Sequence, residues 1–302
     1  MEEQKRSYIY ATAAVLIWST VASAFKIALR YMSFLQLLLY ASIVSIVTLF
    51  VILVVQRKLT LLKRYSRGDY MRSIGLGILN PFLYYIVLFK AYSVLPAQQA
   101  MTLNYTWPIM LVLLSIPLLR QRITCKRIVA ICISFVGVWM IATQGNILRF
   151  RFTNPVGVGL ALGSALIWAL FWIYNVRDKR DDVVKLFLNF GFGFVFILVV
   201  NLIFSDVTVP NTMGFIGATY VGLFEMGVTF VIWLKALKLS QTTAQVSNLI
   251  YMVPFLSLVV IHFVVGERIS LYTVGGLTLI ITGIIIQQRP DFKSRNKVGN
   301  IK

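Results

Sequence analysis

Charge is scarce in this 302-residue chain: 13% of its residues are charged, against about a quarter in a typical soluble domain. A water-exposed surface cannot be assembled from so few. Acid is scarcer still, with 10 Asp and Glu against 29 Lys and Arg, for a net charge of +19. Such an excess could suit nucleic acid. Here, however, most basic residues fall in short gaps between apolar runs, where they orient helices rather than form a binding face. No nucleic-acid partner is expected. Histidine occurs once, at His262, and the chain holds no HExxH, GxSxG or HxxxxD pattern. Hydrolysis or acyl transfer calls for a nucleophile–base pair or a metal cluster, so the chain does not read as an enzyme, and no metal or cofactor is expected. Its two cysteines, Cys125 and Cys132, would stand about 10 Å apart along one helix, beyond disulfide reach. They read as packing residues. An ATP-binding motif is also missing, which leaves an ion gradient or the solute's own gradient as the driving force.

What is abundant is apolar sequence: 59% of residues are hydrophobic and the mean hydropathy is +0.82. Runs of about 20 apolar residues mark bilayer-spanning helices. Ten such spans are expected, at 8–29, 35–55, 71–94, 97–119, 126–144, 155–177, 184–204, 213–238, 242–264 and 271–288. The fold class is therefore all-α integral membrane, with the lipid bilayer as its surroundings. Basic residues crowd alternate gaps: Lys5 and Arg6 before the first span, Arg57 to Arg72 after the second, Arg120 to Arg127 after the fourth, and Arg177 to Lys185 after the sixth. The other side holds only Arg30, Arg149, Arg151 and Arg268. By the positive-inside rule both termini are cytoplasmic and the protein is multi-pass in a plasma, or inner, membrane. Ala22-Ser23-Ala24 resembles a signal-peptidase site. Glu2 and Glu3 weaken the basic region such a signal needs, so the first span is expected to be retained.

The chain uses one stretch twice. Leu88 to Thr124 returns as Trp233 to Ser270: Lys90 pairs with Lys235, and after one inserted residue Gln99 pairs with Gln245, Tyr105 with Tyr251, Pro108 with Pro254, and Arg122 with Arg268. Gly137 then falls on Gly283, and Leu16-Ile17-Trp18 returns as Leu166-Ile167-Trp168. A half-length repeat in an apolar chain is the trace of a transporter built by duplication. With five spans in each half, the second enters the membrane inverted. The expected units are a first five-helix repeat at 1–148, an inverted second at 149–288 and a basic cytoplasmic tail at 289–302, with residues 145–154 as the hinge. A site is expected near midplane, where the halves meet.

An intramembrane carboxylate costs several kcal/mol and is a functional candidate by default. Glu225 lies near the middle of the eighth span, with Ala218, Gly222 and Thr229 on its face by helical spacing. It reads as a proton-coupling carboxylate, as the partner of a cargo ammonium, or as a structural carboxylate paired to a neighbouring helix. Ser73, Gly77, Asn80 and Tyr84 repeat that face in the third span, so Asn80 matches Glu225 in depth. Pro108 and Pro254 interrupt the fourth and ninth spans, freeing carbonyls at Asn104 and Ile250. Exposed backbone at that depth belongs beside protein or a watery cavity. Thr102, Asn104, Tyr105 and Trp107 surround the first break, and Asn248 and Tyr251 adjoin the second. Amides and aromatic rings suit a small amphipathic solute. Trp18 and Trp168 face either that cavity or a neighbouring helix. Lys26, Lys90 and Lys235 sit near helix ends, where long side chains snorkel to the interface.

The residues that carry the repeat also carry a resemblance. WSTVASAFKIAL, from Trp18, resembles the opening of EamA-type members of the drug/metabolite transporter superfamily. The GERIS stretch at Gly266, followed by Gly275, Gly276 and Gly283, is similar to that family's fourth and fifth helices in each half. Two positions depart from it: Tyr40-Ala41 stands where members often carry arginine, and Gln121 where the second half has Glu267. The resemblance implies ten helices around a central cavity and carriage of a small organic solute. Taken together, the expectation is a permease for an amino acid or related metabolite, working by alternating access of two inverted halves; a homodimer is compatible with it. The runner-up is a phosphorylated-sugar or nucleotide-sugar exchanger, which should concentrate cations at midplane. A channel fits less well, because one isolated carboxylate is not a charged ring.

Overall fold

The computed structural model describes residues 2–119, 124–146, 154–205, 208–240 and 248–288, and among these the regular structure is helical with no strand. In lipid, a backbone must satisfy its own hydrogen bonds, and a helix does so within one segment. The helices are α1 (Glu2–Ala28), α2 (Phe34–Val55), α3 (Arg67–Val94), α4 (Ala97–Asn104), α5 (Trp107–Leu119), α6 (Cys125–Ala142), α7 (Pro155–Arg177), α8 (Asp182–Phe204), α9 (Thr212–Leu239), α10 (Leu249–Val265) and α11 (Leu271–Gln288). A single helical turn, Leu59–Leu62, lies between α2 and α3. Six of these helices, α1, α2, α3, α7, α8 and α9, are long and apolar enough to cross a membrane, and α6, α10 and α11 are shorter apolar helices.

Short polar residues start the helices where the sequence breaks. The Ser33 hydroxyl accepts from the Gln36 N–H at 3.2 Å while the Gln36 side chain accepts from the Ser33 N–H at 3.0 Å, a reciprocal cap. Ser66 and Asp69 repeat that arrangement at the start of α3. Asn154, Asp181 and Asn211 cap α7, α8 and α9 through their side-chain oxygens.

Four of the expected spans depart from a continuous α-helix. α3 breaks at Asn80, whose backbone is extended (φ −148°, ψ 119°) ahead of Pro81. The single span expected at 97–119 is two helices, α4 and α5, separated at Tyr105 and Thr106. Pro108 is the second residue of α5, in the first turn, where a missing N–H costs nothing. Pro254 likewise opens the α-helical part of α10, after a 3₁₀ turn at Asn248–Met252. α9 carries a π-helical stretch, Val221–Val228, around Glu225. Such stretches are rare and gather at functional sites.

The helices pack reciprocally. α1 lies along the C-terminal part of α9, and α7 along the C-terminal part of α3. α2 packs on the first half of α9, α8 on the first half of α3, and α2 and α8 on each other. α6 and α11 form a pair of their own, in close backbone contact. A Cβ on Gly137 would stand 2.5 Å from the Gly276 carbonyl oxygen, and one on Gly276 would stand 2.7 Å from that of Gly137. Because the obstacle is backbone, no rotamer change relieves it. Gly137→Val is therefore expected to destabilise the protein by about 3 kcal/mol, the upper part of the range for overpacking. Thermal unfolding in detergent, compared with the tolerant Gly159→Ala, where a Cβ meets nothing within 4 Å, checks it.

Candidate functional site

A cavity of about 660 Å³ lies between α1, α3, α4, α5, α7, α9 and α10. Its polar centre is Glu225, only 8% exposed. The π-helical turn of α9 holds this carboxylate toward the cavity. Tyr85, fully buried on α3, donates its hydroxyl to Glu225 Oε1 at 3.1 Å. The Trp18 indole, from α1, stands beside the same carboxylate on the cavity wall. No cation among the described residues pairs with it within the salt-bridge distance of 4.0 Å.

Aromatic rings wall the space around that group. Tyr84 stacks on Trp168 with centroids 4.5 Å apart. Trp168 meets Phe230 at 5.6 Å, Phe230 meets Trp18 at 6.1 Å, and Trp18 meets Trp233 at 5.5 Å. These rings come from α1, α3, α7 and α9, and all of them line the cavity. Beside them Asn104, at the end of α4, donates its amide to the Ser164 hydroxyl of α7 at 2.9 Å. The Tyr84 hydroxyl lies 3.5 Å from the Asn104 carbonyl oxygen, at the limit of a hydrogen bond.

Eight of the eleven residues expected from the sequence line this one space: Trp18, Tyr84, Asn104 and Tyr105, with Trp107, Trp168, Glu225 and Tyr251. Two do not. Asn80 is fully buried, absent from the cavity wall, and its amide finds no partner among the described residues. It shares a register position with Glu225, but the break before Pro81 gives it an extended backbone, whereas Glu225 stays helical. Equal depth did not mean equal direction. Thr102 is also buried off the cavity and returns its hydroxyl to the Gln98 carbonyl, one turn earlier on α4, at 2.7 Å. The Asn248 side chain lies outside the described residues, as do Gln121, Arg122 and Gln245.

The stripe of small residues beside Glu225 serves packing. A Cβ on Gly222 would run into the Ala41 carbonyl of α2, and the Thr229 hydroxyl turns back to the Phe224 carbonyl. Tyr85, Phe230 and Trp233 were not foreseen from the sequence. The Tyr84-Tyr85 pair was a signal for the first, since neighbouring residues on a helix point to different faces. Phe230 and Trp233 lie just beyond the π-helical stretch at Val221–Val228, at i+5 and i+8 from Glu225, outside the i+3, i+4 and i+7 positions that extend its face in a regular helix.

The two ends of the cavity differ. One end reaches the surface at Arg177, an exposed residue, with Leu237 nearby. Toward the other end stand the buried side chains of Phe25, Leu88 and Tyr92. Beyond them is a polar clasp. The Glu267 carboxylate accepts from the backbone N–H of Ala97 at 2.7 Å and of Gln98 at 3.2 Å, at the start of α4. The Gln98 side chain in turn donates to the Arg268 carbonyl at 2.9 Å and accepts from the Ser270 N–H at 3.1 Å. Lys26 reaches the Leu95 carbonyl at 2.6 Å. Lys90 and Lys235 lie instead over the rings of Phe34 and Tyr10, at 5.0 and 4.6 Å. None of these three lysines lines the cavity.

Comparison with known proteins agrees with this architecture. An uncharacterized transporter of Archaeoglobus fulgidus is 23% identical over 287 residues, covering 94% of this chain and 99% of that protein. The uncharacterized transporter YvbV of Bacillus subtilis (strain 168) is 24% identical over 287 residues, covering 93% of this chain and 91% of its own. A solved crystal structure superposes with a TM-score of 0.64 at 20% identity, covering 93% of this chain and 96% of that one, a likeness of fold. A sequence model of the EamA-like transporter family matches twice, at residues 5–143 and 155–287. The chain is a multi-pass membrane protein, and it belongs to the EamA-like transporter family.

Proposed function

We propose that this protein is a secondary carrier that moves a small organic solute, an amino acid or related metabolite, by alternating access around the Glu225 cavity. One observation carries this: a buried carboxylate and a wall of aromatic rings line a single cavity among helices built for lipid. Its volume of about 660 Å³ falls within the range of small-molecule sites. In this reading ten spans form two inverted halves, 1–148 and 149–288. The twofold match to the family and the reciprocal packing of α1 on α9 and α7 on α3 support it. Both termini then face the cytoplasm of a cell bounded by a plasma, or inner, membrane. The Arg177 end of the cavity is the cytoplasmic one, and the Glu267 clasp closes the outer side. The basic tail at 289–302 and the middle of the 145–154 hinge lie outside the described residues.

An uncompensated charge inside a membrane protein is costly, so the Glu225 charge calls for a mobile partner. A proton would make Glu225 the coupling group, and a cationic cargo would make it the binding group. An anion exchanger for phosphorylated sugars is disfavoured: the one cation on the cavity wall, among the described residues, is Arg177 at its mouth. Counterflow of labelled amino acids and metabolites in proteoliposomes tests the carrier. Saturable exchange that is stimulated by unlabelled solute on the far side is the expected result. Flux that rises linearly without saturation would turn the reading toward a channel.

A further inference from the structure

We infer that the cargo is an organic ammonium with an apolar or aromatic body, held with its cationic head between Glu225 and the rings of Trp18, Trp168 and Phe230. The inference rests on the carrier reading above and narrows its cargo from amino acids and related metabolites to amines that lack a carboxylate. Three observations carry it. The acid on the cavity wall, among the described residues, is Glu225, which accepts from the neutral Tyr85 hydroxyl, stands beside the Trp18 indole and pairs with no cation. A neutral donor orients the carboxylate and leaves its charge to be matched by whatever enters.

The second observation is the ring arrangement. Trp168, Phe230 and Trp18 form a continuous chain of edge contacts from α7 to α1, with Tyr84 stacked on Trp168. Ring faces attract a cation electrostatically, and the attraction grows in a desolvated site. A cage of that kind discriminates for positive charge in a way that a wall of leucines would not.

The third observation concerns spacing. Arg177, the other charge on the cavity wall among the described residues, follows Trp168 on α7 by nine residues, about 13 Å of helix rise. An α-amino acid carries its ammonium and carboxylate on a single carbon, so it cannot engage the Glu225 cage and Arg177 together. Near Glu225 the cavity wall, among the described residues, offers its carboxylate no cation, only neutral groups such as the Asn104 amide, which already bonds Ser164. An amine that lacks the carboxylate meets no such cost.

Three solutes sharing one phenyl ring test the inference: phenethylamine (cation), phenylalanine (zwitterion) and 3-phenylpropionate (anion). Each is measured in two ways on the full chain, as a shift in the unfolding temperature of the purified protein and as counterflow in proteoliposomes. Phenethylamine is expected to raise the unfolding temperature and to exchange saturably, while the other two do neither. Trp168→Leu should weaken phenethylamine binding roughly tenfold, and Trp168→Phe, which keeps a ring face, should recover part of it. Comparable binding of phenylalanine or 3-phenylpropionate would overturn the ammonium inference and leave the carrier reading standing. Failure of phenethylamine to bind or exchange would overturn it as well. The carrier reading itself falls only if the wider amino-acid and metabolite panel also shows no counterflow.

Discussion

Glu225→Gln is expected to abolish exchange of an amine cargo while leaving the protein folded. Removing one member of a buried, hydrogen-bonded charge pair costs about 2–5 kcal/mol in binding, and the lower figure already weakens affinity about 30-fold. Glutamine keeps the shape of the side chain and an oxygen that can accept from Tyr85, now 3.1 Å from the carboxylate. Loss of function would therefore report on charge rather than on packing. Thermal unfolding should show no loss of stability, since the variant removes a buried charge that lacks a cationic partner among the described residues. Counterflow and gradient-driven uptake, measured side by side with and without a pH gradient, are the checks. Exchange that persists while only pH-driven accumulation disappears would assign Glu225 to proton coupling and take the cargo's head away from it.

The second large effect is expected at the closed end. Glu267 satisfies two of the orphan N–H groups that begin α4 and binds α10's end to that helix. It also brings a negative charge to the positive end of the helix dipole. Charge-assisted hydrogen bonds of this sort are worth about 2 kcal/mol, roughly a 30-fold bias toward the closed end. Glu267→Gln should relax that bias. With Cys125 and Cys132 replaced by serine and a reporter introduced as Leu88→Cys, a membrane-impermeant thiol reagent added from the outer side should label Glu267→Gln protein many times faster than its Glu267 parent. Equal labelling rates would show that the clasp does not hold the end shut.

Both experiments depend on features that differed in how visible they were beforehand. Glu225 stood out in the sequence because a carboxylate inside a 20-residue apolar run is costly to bury. Pro108 and Pro254 pointed to the breaks in the fourth and ninth spans, although each falls in the first turn of the helix that follows its break rather than at the break itself. Asn80 misled because the repeat fixes depth along a helix, while the side chain's direction depends on the local backbone, and Pro81 alters that backbone. Phe230 and Trp233 were hidden by tertiary geometry, since which of many aromatic residues faces the cavity is decided by the crossing of α1, α3, α7 and α9, and Tyr85 reaches Glu225 from off the cavity wall. A π-helical turn leaves no residue signature that distinguishes it from an ordinary helix. The Glu267 clasp was partly legible, in that Glu267 was recognised within GERIS, but its partners at Ala97 and Gln98 lie 170 and 169 residues away in the chain.

The seam between α6 and α11 bears on how the two halves could move. Gly137, Gly276 and Gly283 let backbone meet backbone there, and the pair reaches the rest of the bundle chiefly through α4. Surfaces meshed that closely can tilt about their contact, but they cannot translate past one another without collision. Under the alternating-access proposal, the seam would act as a fulcrum. Opening and closing of the cavity would be levered about it, with the largest displacements at the far interfaces of α1 with α9 and α3 with α7, where the rings around Glu225 come from.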